Sequence, residues 1–274
     1  MIDIIEEIYI WLSIMDNLDY MTYINLVKKF DSTVNLYNCS KDKIKFEKKL
    51  FQKGISLKDS LKSSLINSNK KVKANKIYNY LKSKNINIIP FNSKYYPSKL
   101  KNIFSPPLCI FVSGNIEKIN KKKIYVYEND NASEYARKIK NYIYAKIIYL
   151  DNTLILNKNF KIKFINIENE YYNIEKSCIN SYFTLYFNKN LNGKNIIRNI
   201  EVISGILDLL IIPQAGYTKN ITILVDSMLE NGNNIAVFPN EIFNKNAFFS
   251  NYLIQNGANM ITNIYEIKNI INEL

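Results

Sequence analysis

The chain has 274 residues, 47% of them hydrophobic, which is enough apolar material for a substantial core and excludes a wholly disordered polypeptide. Lys and Arg number 37 against 24 Asp and Glu, a formal charge of +13, so a polyanion is a natural partner class. No His is present, which removes Ser-His-Asp catalysis and His-based metal sites, and three widely spaced cysteines (Cys39, Cys109, Cys178) fit neither a zinc cluster nor a disulfide framework.

Residues 1–84 read as a helical N-terminal domain. Ile5, Ile8, Trp11, Leu12 and Met15 recur at helical spacing, followed by Tyr23, Leu26 and Val27, and a Lys-faced amphipathic stretch runs to about Asn85. The opening MIDIIEEIYIWLSIMDN lacks a basic region before its apolar residues, and no apolar run reaches 18 residues, so neither a signal peptide nor a membrane span is expected. With unpaired thiols, this makes a cytoplasmic protein the expectation.

From residue 85 the texture changes. INIIPF is β-branched, a Pro-punctuated connection follows, and strands are expected at Leu108–Val112 and at IYVY, the latter leading into the helix ASEYARKIKNYIYA. KIIYL (Lys146–Leu150) reads as a strand, and the Asn-rich region up to about Lys194 has little pattern. Beyond it strand and helix alternate: LDLLIIP, NITILVDSMLENG closed by Gly232, NIAVFP, SNYLIQNGA ending at Gly257, NMIT, and a final IYEIKNIINEL. Apolar strands separated by helices predict an α/β, Rossmann-like, mostly parallel sheet with helices on both faces over residues 85–274.

Arg137 and Arg198 are the two arginines in a chain whose Lys, Asn, Ile and Tyr content matches an AT-rich codon bias. Lys excess is therefore weaker evidence than usual, while a planar bidentate donor is not equivalently replaced by Lys.

Several motifs in this order resemble the bacterial DNA-processing family DprA/Smf. YYPSKLKNIFSPPLCIFVSGN resembles its YPxxLxxIxDPPxxLxxxG element, and the stretch from Arg198 to Thr262 follows its arginine-rich segment, LLVVEA strand, SGSLITA turn and LIxxGA helix in order and phase. The resemblance implies a protein that binds single-stranded DNA during natural transformation and recombination, protects it and loads the RecA recombinase, with neither an enzymatic step nor a cofactor. It also implies a homodimer through the Rossmann-like domain. Mapped onto this chain, the nucleic-acid contacts fall to Ser133, Arg137, Lys138, Lys194, Arg198 and Lys219. The family's C-terminal winged helix is not expected here, and the centre reads as shortened.

The departures support an alternative. The family's GSRxxSxYG anion loop corresponds to YENDNASEYA, where Tyr127, Glu128 and Asn129 replace Gly, Ser and Arg, and Ala136 replaces the last Gly. Glu128 and Asp130 would then repel a phosphate. Lys219 and Asn220 stand in the SGSLITA turn, and Phe249 replaces the glycine before Asn251. A degenerate paralogue, kept as a protein-interaction module, is the second reading. A hydrolase is a third: Glu201 and Asp208 are its candidate carboxylates, but FPNEIF lacks the glycines of a phosphate loop.

Overall fold

The computed structural model describes residues 2–114, 116, 119, 121–128, 131–147, 153–156, 163–165, 183–188, 195–263 and 265–274. The chain begins with six helices: α1 Ile2–Ser13, α2 Tyr20–Phe30, α3 Thr33–Cys39, α4 Lys43–Gln52, α5 Asp59–Ile66 and α6 Ser68–Ser83. Short polar side chains start most of them. Asp19, Ser32 and Asp42 accept the backbone N–H three residues on, at 2.7, 3.0 and 3.1 Å, satisfying donors a helix N-terminus leaves free. Asn85 closes α6 in the left-handed region, at φ 54°.

Two strands follow, β1 Ile86–Pro90 and β2 Cys109–Gly114, joined through a short helix, α7 Ser98–Lys101, and paired antiparallel from Ile86↔Ser113 to Pro90↔Cys109. Alternation splits β2 between two cores. Cys109 and Phe111 face the helical layer with Trp11, Phe30 and Leu65, whereas Ile110 and Val112 face a second cluster with α7. The β1–β2 ribbon is thus the wall shared by the helical layer and the α/β layer.

The α/β layer contains β3 Lys122–Val126, α8 Glu134–Ile147, β4 Thr153–Leu156, β5 Lys163–Ile165, β6 Phe183–Asn188, α9 Asn195–Ile206, β7 Leu209–Ile212, α10 Lys219–Glu230, β8 Asn234–Val237, α11 Phe248–Gln255, β9 Asn259–Met260 and α12 Glu266–Glu273. Five strands form one parallel sheet in the order β4-β3-β7-β8-β9. Its faces are separately covered. Leu210, Ile212, Ile235 and Val237 pack with residues of α9, α10 and α11; Leu209, Ile211, Ala236 and Phe238 pack with α8 and α12. Burial on both faces is why LLII reads as an uninterrupted apolar run.

Two features differ from the sequence expectation. α8 continues to Ile147, so the strand expected from Lys146 begins inside a helix; 148–150 lie outside the described residues. A second sheet also exists, ordered β1-β2-β6-β5, in which β6 pairs antiparallel with β2 and parallel with β5. Cys39 and Cys109 are buried free thiols, and Cys178 lies outside the described residues. No helix among the described residues is long and apolar enough to cross a membrane.

At Gly205, α9 packs tightly on α7 and the residues that follow it. A Cβ there would overlap Ile103 Cγ2 and sit 3.3 Å from Leu100 Cδ1. Ile103 is β-branched and buried, so it yields poorly. Gly205→Ala gains about 1 kcal/mol of helix propensity but incurs ~1–3 kcal/mol of overpacking. We expect a net destabilisation of about 1 kcal/mol and a Tm lowered by roughly 2–4 °C, checked by thermal unfolding; a raised Tm would contradict this packing.

Buried ionisable groups give the fold a defined pH response. Burial, reinforced by Lys41, lowers Lys71 from 10.5 to about 8. Burial likewise lowers Lys123 to about 8 against the attraction of Asp208, with Lys99 adding to the depression. Between about pH 8 and 10 the unfolded chain therefore holds more protons on these lysines than the folded one, and stability rises with pH. Below about 8 both states are protonated and the penalty is constant. Above 10 the sign reverses, because burial raises Tyr9 and Tyr144 and pushes Tyr125 up to about 12 while unfolded tyrosines ionise near 10. Tm measured across pH 7–11 should pass through a maximum near 10; a steady decline from pH 8 would refute the assignment.

Candidate nucleic-acid interface

In a parallel sheet all strands point one way, and the loops at their carboxyl ends share one edge with the N-termini of the helices that follow. Here that edge carries the loops after β3, β7 and β8 and the starts of α8, α10 and α11.

The start of α8 is built from the end of the stretch YENDNASEYA. Ser133 caps the helix: its hydroxyl accepts from Ala136 N at 3.2 Å and its carbonyl from Arg137 N at 3.1 Å. Ser133 N donates to Gln214 Oε1 at 2.7 Å, tying α8 to the loop after β7. That bond fixes which end of the Gln214 amide faces α8. Its Nε2 is buried and makes no hydrogen bond among the described residues, although Gln214 is only 2% exposed. A buried unmatched donor costs about 1–3 kcal/mol and is available to an anion oxygen that reaches it.

Glu128 differs from its sequence expectation. Its carboxylate lies 3.4 Å from Lys140 Nζ and accepts from Tyr144 Oη at 3.3 Å, so its charge is engaged by α8 instead of being projected at a ligand. The lysine and the phenol sit on the turns of α8 that face the end of β3, a relation that spacing within the loop does not disclose. Asp130 and Asn129 lie outside the described residues.

The loop after β7 is clamped from the other side. Ala215 N donates to Ser250 Oγ at 2.7 Å and Ser250 N donates back to Ala215 O at 3.1 Å. Asn240 Nδ2 donates to the carbonyls of Pro213 and Phe238 at 3.0 and 2.9 Å, and Asn251 braces Asn240 through both of its amide atoms at 3.0 Å. Asn251, retained from the family pattern, thus positions loops instead of presenting a donor to solvent. Gly216 passes 3.4 Å, measured from a Cβ placed on it, from the backbone of Asn246.

The predicted contact residues do not form one cluster of free cations. Arg137 and Lys138 are exposed on the first turn of α8, but Lys138 pairs with Glu134 at 2.8 Å. Lys219 is exposed at the first position of α10, directly after its cap Thr218. Arg198 lies in α9; its side chain, like all of Lys194, is outside the described residues. Ser133 acts through its cap. Glu201 lies within α9 and Asp208 lies beyond its end, directly before β7, so the two share no helix face.

Sequence reading missed an aromatic cluster on this edge. Tyr217 lies 4.8 Å from Phe249 and 5.8 Å from Tyr252, measured between ring centres, and Phe249 stacks on Tyr252 at 15°. Phe249 is the buried base; Tyr217 and Tyr252 are 60% and 46% exposed. The substitution of the family glycine by Phe249 was its only sequence trace.

Residues 87–155 match the family model for DNA recombination-mediator protein A. Over 63 residues the chain is 35% identical to the DNA processing protein DprA of Bacillus subtilis (strain 168), a stretch that makes up 23% of this chain and 21% of that protein, so the alignment spans about a fifth of the relative. Two solved structures share the fold. The DNA processing protein A of Streptococcus pneumoniae superposes with a TM-score of 0.54 at 15% identity, covering 87% of this chain and 96% of that one. That of Helicobacter pylori, whose structure describes a single-stranded DNA binding mode, gives 0.52 at 13%, covering 69% and 94%.

The fold is that of a Rossmann-like α/β protein carrying a helical N-terminal layer. Inside that fold, the segment from β1 to β4 is similar to the DprA family.

Proposed function

We propose that this chain binds single-stranded DNA along the carboxyl edge of its parallel sheet, in the service of DNA processing, and that it does so without catalysis or a cofactor. The observation that carries the reading is the exposed Tyr217–Tyr252 pair beside Lys219 at the start of α10. Sequence-tolerant strand binding needs aromatic faces for bases and cations for the backbone, and this edge supplies both. Arg137 and Lys219 contact phosphates, and the tyrosines stack bases. The step is positional: no bond is made or broken. The match of residues 87–155 to the DprA family model and the strand binding described for the Helicobacter pylori protein support the substrate class. Handing the coated strand to RecA in transformation, and dimerisation through the Rossmann-like domain, are the finer parts of the same proposal.

The test is titration of labelled oligothymidylate. Affinity should fall with salt at a log–log slope near −0.7 per neutralised phosphate, and Arg137→Ala and Lys219→Ala should each weaken binding and lower that slope by about one contact. Tyr217→Ala should lose about 1–3 kcal/mol per stacked base with the slope unchanged. Absence of binding at low salt would overturn the reading.

A second reading rests on a different observation. Ile242 and Phe243, in the loop after β8, are 70% and 90% exposed, which suits a protein partner better than a strand of DNA. In that case Phe243→Ser abolishes capture of the partner while oligothymidylate fails to bind the wild type.

A further inference from the structure

Where α1, α3 and α6 meet, the Lys71 side chain lies against two buried rings. Its Nζ stands 5.7 Å from the ring centre of Trp11 and 5.5 Å from that of Tyr37. The amine donates to a neutral acceptor, Ser40 O, at 2.7 Å. Lys41, the next residue along, reaches the same Tyr37 ring at 4.8 Å, so two like charges lie within 6 Å of one ring centre. Among the described residues no carboxylate pairs with either amine.

Acids on the adjoining elements are engaged by other groups. Glu7 accepts from Asn75 Nδ2 at 2.9 Å and from Tyr37 Oη at 3.5 Å, and Asp42 caps α4 through Lys45 N at 3.1 Å. Glu6 pairs with Lys82 and Asp16 with Lys70. Asp3, whose side chain is outside the described residues, precedes Trp11 by two turns of α1, about 12 Å along the axis. Other half-buried lysines differ: Lys70 and Lys140 each reach a carboxylate, that of Asp16 and of Glu128.

Taking an ammonium out of water without counter-charge favours the free amine, and a second cation beside it adds to that effect. Ring contacts near the 6 Å limit of cation–π attraction oppose it only weakly. Burial first and Lys41 second bring Lys71 from 10.5 to about 8. Lys123 is loosened as far but is 6% exposed, whereas Lys71 is half-buried and still meets solvent. Ser40 O holds the free amine through one N–H and leaves its lone pair unused.

We propose that Lys71 is a modification site, acylated directly by small acyl phosphates. A desolvated lysine beside another cation is an amine nucleophile at neutral pH. Its lone pair attacks the acyl carbon and forms the C–N bond. The bond from that carbon to the phosphate oxygen breaks, inorganic phosphate leaves with the electron pair, and the proton lost by nitrogen passes to solvent. Lys41 attracts the anionic donor through its charge. The product is a neutral amide, which ends the repulsion between Lys41 and Lys71 and removes one positive charge from the helical layer. The site lies in the helical layer and does not rest on the DNA-binding reading.

The experiment incubates the folded protein with acetyl phosphate and follows acetyl occupancy at each lysine by mass spectrometry of the digest. At pH 7.5 roughly a quarter of Lys71 is free amine, against about one part in a thousand for an ordinary lysine. Lower basicity gives back part of that gain, so Lys71 should react about tenfold faster than Lys70 or Lys140. Its rate should level off above about pH 9, while theirs climb to about 10 or beyond. Lys41→Glu, at an exposed position, supplies the missing carboxylate and should bring the Lys71 rate down to that of Lys70. An unchanged midpoint of Trp11 fluorescence shows that this variant is folded, and unfolding the wild type in urea should erase the preference. A Lys71 rate no higher than that of Lys70, a rate still rising to pH 10, or a preference that survives Lys41→Glu or urea overturns the proposal.

Discussion

Replacing Asp208 with Ala should lower the stability of this protein by about 3 kcal/mol, since breaking a mostly buried pair costs more than the pair contributes. Asp208 is 14% exposed along its side chain and joins three elements: Lys99 of α7, the first residues of β3, and the entry to β7. Its loss orphans the Lys123 N–H and strands the buried Lys123 ammonium with further uncompensated charge. The contribution from Lys99 is smaller, because that side chain is 46% exposed and screened. For a chain of this size the change corresponds to a Tm lower by roughly 6–10 °C, read by calorimetry. Asp208→Asn keeps an acceptor for Lys123 N and should lose less. A Tm within about 1 °C of wild type for Asp208→Ala would show that the β3–β7 entry is held by the sheet alone.

Phe111→Ala is expected to cost still more, about 3–5 kcal/mol, the range for deleting a fully buried aromatic ring. Phe111 is 1% exposed in β2, yet its cluster includes Trp11, Phe30, Phe46 and Leu65 from the helical layer. The chain has one tryptophan, so indole fluorescence reports the environment of Trp11 alone. Trp11 packs edge-on against Tyr37 at 5.0 Å between ring centres, with Lys71 Nζ 5.7 Å above its ring. If the helical layer and β1–β2 unfold as one unit, the substitution lowers the fluorescence midpoint and the circular-dichroism midpoint together. A fluorescence transition unmoved by Phe111→Ala would show that the helical layer unfolds by itself.

The parallel sheet was legible because its strands are buried on both faces: LLII and IAV are apolar throughout, and Gly232 and Gly257 end the helices beside them at φ 66° and 93°. The second sheet was not, because β2 finds its partner β6 about seventy residues later, in an Asn-rich stretch whose composition carries no period. Candidate residues on α8 and α10 lie at the carboxyl edge of the sheet, as the strand–helix order predicts, yet their electrostatics were not foreseeable. Glu128 becomes harmless to an anion only through Lys140 and Tyr144, and Lys138 is partly spent on Glu134. Gln214 gave no signal because a neutral amide belongs to no motif; its importance comes from one bond to Ser133 and one unmatched donor.

The detour taken by the chain between β4 and β7 has a kinetic consequence. After β4 the polypeptide leaves the parallel sheet, contributes β5 and β6 to the other one, and returns through α9 before β7 can pair with β3. The first bond across that junction, Lys123 N to Asp208, joins residues 85 positions apart. Closing so long a segment costs entropy before any strand pairing repays it, and the helical layer needs a shorter closure, 68 residues between Glu7 and Asn75 where α1 meets α6. Refolding should therefore be staged, with Trp11 burying early and the edge that carries Tyr217, Gln214 and Lys219 forming last. A chain emerging from the ribosome would hold a finished helical layer while its binding edge was still waiting for β7.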